Sequence, residues 1–260
     1  MDYISLWDVM QEKSRSQKKD AGIWDKIAKQ YASHTKDDRS TRIAWQLQEL
    51  NFQSGSSVLD IGAGTGVLAY PLKEAGFEVT VLEPSAAMRE SIHGFSVIPE
   101  SFEAAELTGT YDYVLSSFSF FFKGFEKSIC KMNAAANREV HIFWFMRSSS
   151  RPIDDLWQIL HNEPYPSEPD AETMFCALKQ MGLCPEMSVF YQTKKQIYPD
   201  EETLLQYYTT RLLAETDEEK QAIKEYLMQK AEKTTDGYVI YEDAPAAHIW
   251  WKKEALRHLV

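Results

Sequence analysis

Val58-Leu-Asp-Ile-Gly-Ala-Gly-Thr-Gly66 and, one predicted helix later, Val79-Thr-Val-Leu-Glu-Pro-Ser85 are the two stretches that decide the fold. Each is an apolar run closed by an acid, and the first continues into a loop with three alternating glycines. Apolar runs this short, bounded by turn residues and separated by a helical segment, read as strand, loop, helix, strand. Glycines at a strand-to-helix junction let the backbone turn sharply and approach a ligand more closely than any side chain would allow. The order points to adenosine-containing cofactors, bound at the carboxyl edge of an open sheet. Glu83, closing the second strand, is placed to accept hydrogen bonds from both ribose hydroxyls.

Working outward, short apolar runs alternate with helical segments. Strands are predicted at Val58–Ile61, Val79–Leu82, Phe95–Ile98, Tyr113–Ser116 and Val140–Met146. Between them lie Val67–Ala75, Ala86–Ile92, Phe102–Leu107 and Glu126–Ala136, of which Phe102–Leu107 has the weakest helical pattern. Near-continuous apolar strands alternating with helices imply a parallel sheet covered on both faces. Residues 1–50 read as amphipathic helices, with Ile23, Trp24, Ile27, Ala28 and Tyr31 at helical spacing and Ile43, Ala44, Leu47 and Leu50 repeating it. Beyond Arg151 helices are expected at Ile153–Leu160 and Asp170–Gly182, then a strand near Met187–Tyr198. Asp200 and Asp217 read as N-caps of Glu201–Ala214 and Glu218–Lys233, and the apolar runs Tyr238–Tyr241 and Ala247–Trp251 finish the chain.

The 260 residues suit one elaborated domain, and no stretch has the ~20 uninterrupted apolar residues of a membrane span. The start lacks the pattern of a signal peptide, and Cys130, Cys176 and Cys184 suit neither a disulfide framework nor a zinc site. A cytoplasmic protein with free thiols is expected. The net charge of −11 argues against a broad phosphate-binding face, so nucleic acid is not an expected partner. No His-x-x-x-His or His-Glu-x-x-His spacing occurs, and no metal site is proposed.

Two details separate this loop from a dinucleotide fingerprint. The third glycine comes one residue early, with Val67 in the later slot, and Asp60 precedes the loop. A carboxylate there suits a cationic ligand better than a pyrophosphate. With Asp60, the three glycines, Glu83, Pro84-Ser85, Met88 and the later Tyr111-Asp-Tyr-Val114 in one register, the chain resembles the class I S-adenosylmethionine-dependent methyltransferase family, of small-molecule type. The resemblance runs from about Trp24 to Arg147. It implies an α/β, Rossmann-like, doubly wound and mostly parallel seven-stranded sheet with an antiparallel last strand. Residues 1–260 would form a single domain, with a helical cap at 1–50, the cofactor-binding core at 55–150, and the rest of the sheet at 151–260 carrying a helical insertion as a lid.

The resemblance also implies site residues. Asp60, Gly62 and Gly64 would lie against the methionine part of S-adenosylmethionine and Glu83 would hold the ribose, with Ala63, Pro84 and Met88 also binding the cofactor and Ser101 and Phe102 near adenine. The acid usual at that last place is absent from the register. Ser116 and Ser117 would pass the cofactor's amino group, and Tyr31 corresponds to a tyrosine that closes over the cofactor or simply packs. S-adenosylhomocysteine would be the product.

Methyl transfer from a sulfonium is an in-line displacement that needs positioning and exclusion of water more than a catalytic base. No catalytic residue is named from the sequence. Where several relatives carry histidine, this chain reads Phe118-Ser-Phe-Phe-Phe-Lys123, so Phe120 and Phe121 are candidates for an apolar or aromatic acceptor pocket or for core. Arg147 is a candidate to hold an acidic substrate, although exposed strand-end arginines are common. His141 reads as a satisfied core histidine, and Trp144, Trp157, Trp250 and Trp251 as core aromatics. The expectation is methyl transfer to a small or medium-sized acceptor by a monomer or homodimer. An RNA or protein methyltransferase and a non-catalytic S-adenosylmethionine-binding protein are the alternatives.

Overall fold

The computed structural model describes residues 1–14, 37–148, 151–166 and 168–253. Tyr31 and the Trp24-Asp25 segment lie outside the described residues. The chain forms two compact units, one of Met1–Met146, Ser167–Phe190 and Ala246–Val260, the other of Arg147–Pro166 and Tyr191–Pro245.

The first unit is built on a seven-stranded sheet. In chain order its strands are β1 (Ser57–Ile61), β2 (Glu78–Leu82), β3 (Ser96–Ile98), β4 (Tyr111–Ser117), β5 (Ala136–Phe145), β6 (Glu186–Phe190) and, after the second unit's strands, β10 (Ala246–Lys252). The spatial order is β3-β2-β1-β4-β5-β10-β6; β1 to β5 pair in parallel, while β10 runs antiparallel to both its neighbours. The expected mostly parallel sheet with an antiparallel last strand is what forms. Alternate residues of β1 enter two different cores, Leu59 and Ile61 one, Val58 the other. That follows from the period of two in a strand and from covering both faces.

Helices Tyr3–Lys13, Phe125–Ala135 and Ala171–Gln180 cover the first face, around fully buried Trp7, Phe125, Trp144, Met174 and Trp251. The second face gathers Val58, Leu68, Ala69, Leu72, Val81, Leu115 and Phe143 under helix Ala69–Glu74, with Ile43, Trp45 and Leu47 of helix Asp37–Glu49 packed beside them. Phe102–Leu107 forms a turn instead of a helix, and Lys131 ties it down by donating to the carbonyls of Phe102 and Ala105.

The second unit differs from a purely helical insertion. It holds helices Pro152–His161, Glu201–Leu212 and Asp217–Lys230 and a three-stranded antiparallel sheet, order β7 (Thr193–Tyr198), β9 (Gly237–Asp243), β8 (Glu232–Thr234). Its core is Leu156, Leu204, Tyr208, Leu212, Ile223, Leu227 and Ile240. The single strand expected near Met187–Tyr198 is therefore two strands, divided at Tyr191-Gln192 between different sheets. The helix expected to reach Lys233 stops at Lys230, because Thr234 and Gly237 close a two-residue hairpin across Thr235-Asp236. Its N-cap is Thr216 in a capping box with Glu219, not Asp217. Among the described residues no helix is long and apolar enough to cross a membrane.

Candidate active site

The register levels the carboxyl ends of three strands. Ile61 lies beside Leu82 on one side and Ser116 on the other, and Ser117 lies beside Phe143. The loop after β1, Glu83 after β2 and the loop after β4 therefore meet at one edge. This is where the strand order reverses, so the connections diverge and leave a crevice.

Backbone hydrogen bonds hold the first loop against β2: Gly62 N–H donates to the Leu82 carbonyl at 2.7 Å and Ala63 N–H at 3.3 Å. Gly62 has φ +71°, and a Cβ there would stand 2.4 Å from the Ser119 Cβ. Glycine is required because two loops cross in contact. Ser119 Oγ fastens the crossing by donating to the Ile61 carbonyl at 2.6 Å, with Ser116 Oγ 2.9 Å away. Gly64 instead faces open space at its Cβ position, on the cavity side.

Glu83 is buried, and its carboxylate organises the edge. Oε2 accepts the Gly64 N–H and Oε1 the Ser85 N–H, both at 2.8 Å. Ser85 Oγ caps the short helix Ala86–Arg89, and Arg89 donates to the carbonyls of Glu83 and Pro84 at 2.8 and 2.7 Å.

Two adjoining cavities follow the edge. The smaller is lined by Arg42, Ile43, Gln46, Asp60, Gly62, Ala63, Gly64, Val67, Leu68, Ser117 and Phe118. The larger, about 1040 Å³ with its open mouth, is lined by Gly62, Gly64, Leu82, Glu83, Pro84, Met88, Ser101, Phe102, Glu103, Ser117, Phe118, Ser119, Phe121 and Phe122. Gly62, Gly64, Ser117 and Phe118 belong to both. Asp60 is 2% exposed and receives no hydrogen bond among the described residues. Burial, reinforced by the negative charge of Glu83, pushes its carboxyl up to about 7. An ionised Asp60 thus calls for a cation, and the carboxylate lines the smaller cavity.

Phe118 adopts φ +53°, a region that costs a bulky residue about 1–3 kcal/mol and marks positions held by their surroundings. Its N–H donates to the Phe143 carbonyl at 2.9 Å, the Arg42 guanidinium lies 4.4 Å from its ring centroid, and Phe145 packs at 4.8 Å.

Of the residues expected at the site, Asp60, Gly62, Ala63, Gly64, Glu83, Pro84, Met88, Ser101, Phe102, Ser117 and Phe121 line this crevice. Ser116 does not line it; it is fully buried and bonded to Ser119. Phe120 is core, edge-on to Trp7 at 5.7 Å, because the backbone reversal at Phe118 turns the next aromatic inward. Arg147 is exposed and opens the second unit. Arg42, Gln46, Glu103, Phe118 and Ser119 line the crevice without having been singled out. Gln46 and Arg42 recur at i and i+4, a signal easily read as a solvated face, whereas Gln46 is 2% exposed and donates to Ser117 Oγ at 2.7 Å.

Residues 28–120 match a family model described as a methyltransferase domain. That stretch of the chain is similar to a methyltransferase domain. Solved structures with the same fold include a candidate methyltransferase of Bacillus halodurans C-125, 13% identical over 83% of this chain and 100% of that one, TM-score 0.55. The YcgJ protein of Bacillus subtilis is 12% identical over 82% of this chain and 98% of that one, TM-score 0.56. No curated protein matches the chain. The methyltransferase cofactor, S-adenosylmethionine, carries an ammonium, a carboxylate, a ribose diol and an adenine. Among the described residues the crevice offers a buried carboxylate that accepts no hydrogen bond, a guanidinium, the Glu83 carboxylate and an aromatic end, so the residues present fit the cofactor.

Proposed function

We propose that the crevice binds S-adenosylmethionine along its length and transfers the methyl group to a small or medium-sized acceptor with an apolar or aromatic body. In this reading Asp60 faces the ammonium and Arg42 the carboxylate of the amino-acid end. Glu83 takes the ribose hydroxyls, and Ser101, Phe102 and Glu103 border the adenine. Bound there, the cofactor would supply an electrophilic methyl on a good leaving group, open to in-line attack by the acceptor's lone pair. Gly62, Gly64, Ser117 and Phe118, shared by both cavities, would then flank the sulfonium. Their role is to fix the angle of approach and keep out water.

The observation that carries this reading is the continuity of the crevice, charged at the Asp60 end and aromatic at the Phe102 end. The aromatic character of Phe118 and Phe121, with Phe145 40% exposed beside Phe118, supports an apolar or aromatic acceptor body. Asp60, Glu83, Glu103 and Arg42 are the ionisable side chains of the described walls, and each has a binding role. An acceptor arriving with its lone pair already free suits such a site.

The test is calorimetric titration with S-adenosylmethionine and S-adenosylhomocysteine, then turnover with a panel of small amines, phenols and thiols read as released S-adenosylhomocysteine. Micromolar binding with turnover on at least one apolar or aromatic acceptor is expected. Absence of heat from a folded sample refutes the cofactor assignment, and binding without turnover across the panel favours a non-catalytic role.

A further inference from the structure

One wall of the larger cavity is a turn that lacks the internal hydrogen bonds of a helix. After β3 the chain passes through Ser101, Phe102 and Glu103, which line the cavity, to Ala105 in the core. The turn closes on itself through the N–H groups of Ala104 and Ala105, which donate to the Ser101 carbonyl at 3.1 and 2.9 Å. The carbonyls of Phe102, Glu103 and Ala105 receive no backbone N–H among the described residues, because no helix continues from them.

Lys131, on helix Phe125–Ala135, supplies what the backbone does not. Its Nζ donates to the carbonyls of Phe102 and Ala105, the second at 2.6 Å, and lies 3.5 Å from that of Glu103. An ammonium carries three protons, so one side chain can serve all three acceptors. The same Nζ stands 4.7 Å from the centroid of the Phe102 ring, within cation–π range. Burial draws the ammonium below the usual lysine range, with Glu103 opposing the shift, and the carbonyls replace the water it gives up. The turn has other anchors: Phe102 packs on Phe122 at 4.7 Å, Ala105 sits in the core, and the Glu103 carboxylate accepts the Lys123 N–H at 3.3 Å. Apolar packing is non-directional and sets how deep the side chains lie. The direction of the peptide planes from Phe102 to Ala105 is set by the ammonium.

We propose that Lys131 is a positioning residue for the adenosine half of the crevice: by holding the Phe102 and Ala105 carbonyls it fixes the turn that presents Ser101, Phe102 and Glu103 to the cofactor. Lys131 lines neither cavity, so it acts only through that turn. Its hydrogen bonds reach none of the residues around Asp60 in the smaller cavity. Loss of the ammonium therefore weakens the grip on the adenosine and leaves the grip on the amino-acid end unchanged. The bearing on the cofactor rests on the reading above; the bracing of the turn does not.

The experiment titrates the full chain with S-adenosylhomocysteine and with 5′-methylthioadenosine, which keeps the adenosine and lacks the amino-acid end. Lys131→Met keeps an unbranched stem without donors, and Lys131→Arg keeps donors. Titrations run well below each protein's melting temperature, so a loss of overall stability leaves the affinities untouched. Lys131→Met is expected to lose about tenfold for both ligands, the worth of one hydrogen bond to a charged group, with their ratio unchanged. Lys131→Arg is expected to recover most of that loss. If Lys131→Met does not fold, Lys131→Gln takes its place, its shorter stem drawing the donor away from the carbonyls. Unchanged affinity for both ligands, a loss confined to S-adenosylhomocysteine, or an arginine variant as weak as the methionine one overturns the proposal. A parent that binds neither ligand overturns the cofactor reading and the positioning role with it. The bracing is then read from amide hydrogen exchange at Ala104 and Ala105, faster in Lys131→Met if it holds and unchanged if it does not.

Discussion

Replacing Asp60 with asparagine separates the cost of that residue to the fold from its value to the ligand. Its carboxyl rises from 3.8 to about 7 because it is buried, and because the negative charge of Glu83 lies near it. The folded state therefore keeps a proton that the unfolded chain releases, and stability is full below about pH 4 and falls as pH rises towards 7. A shift of about 3 units corresponds to about 4 kcal/mol at 1.36 kcal/mol per unit. Asparagine has the shape of the neutral acid and cannot ionise. Asp60→Asn should match the parent near pH 4 and exceed it by up to about 4 kcal/mol in mild alkali. Urea unfolding of both proteins across that range gives the difference directly. The same variant should bind S-adenosylhomocysteine more weakly at every pH above 7, while the parent's affinity rises through that region as the carboxylate forms. A stability difference that is flat with pH, or an asparagine variant that is less stable in alkali, refutes the reasoning.

Glu83→Ala should weaken S-adenosylhomocysteine binding by at least about 1.5 kcal/mol, since hydrogen bonds to a carboxylate are worth roughly 1.5–3 kcal/mol each; calorimetry measures it. The same change should lower the Asp60 midpoint, because Glu83 is the second cause of its rise. Gly62→Ala should destabilise the first unit by about 1–3 kcal/mol, because the new Cβ stands 2.4 Å from Ser119 in a strained backbone region. Adding Ser119→Gly should recover part of that loss in thermal unfolding, the backbone strain alone remaining.

The parallel core was legible because its strands are nearly continuous apolar runs and its helices are not, and the two periods differ. The loop from Asp60 to Gly66 was legible for a local reason: its backbone angles and close approaches are properties of a few consecutive residues. Boundaries were less so. Tyr191-Gln192 carries no glycine or proline, yet there the chain leaves one sheet for another, a choice made by which partner strand each half finds. The hairpin at Thr234–Gly237 was visible in Asp236-Gly237 but masked by the helix-forming residues before it.

What the sequence alone determined is one edge of the sheet: the glycine loop, Asp60, Glu83 and the order of strands that brings them together. Those features depend on spacing within some thirty residues, where local geometry leaves little freedom. Tertiary structure decided which polar residues face the crevice. Gln46 and Arg42 reach the crevice because of how their helix packs, and Phe120 and Phe121 differ in role because the chain reverses at Phe118. Glu139, His141, His248 and Glu49 are up to 199 positions apart, and strand pairing and helix docking bring them into one array.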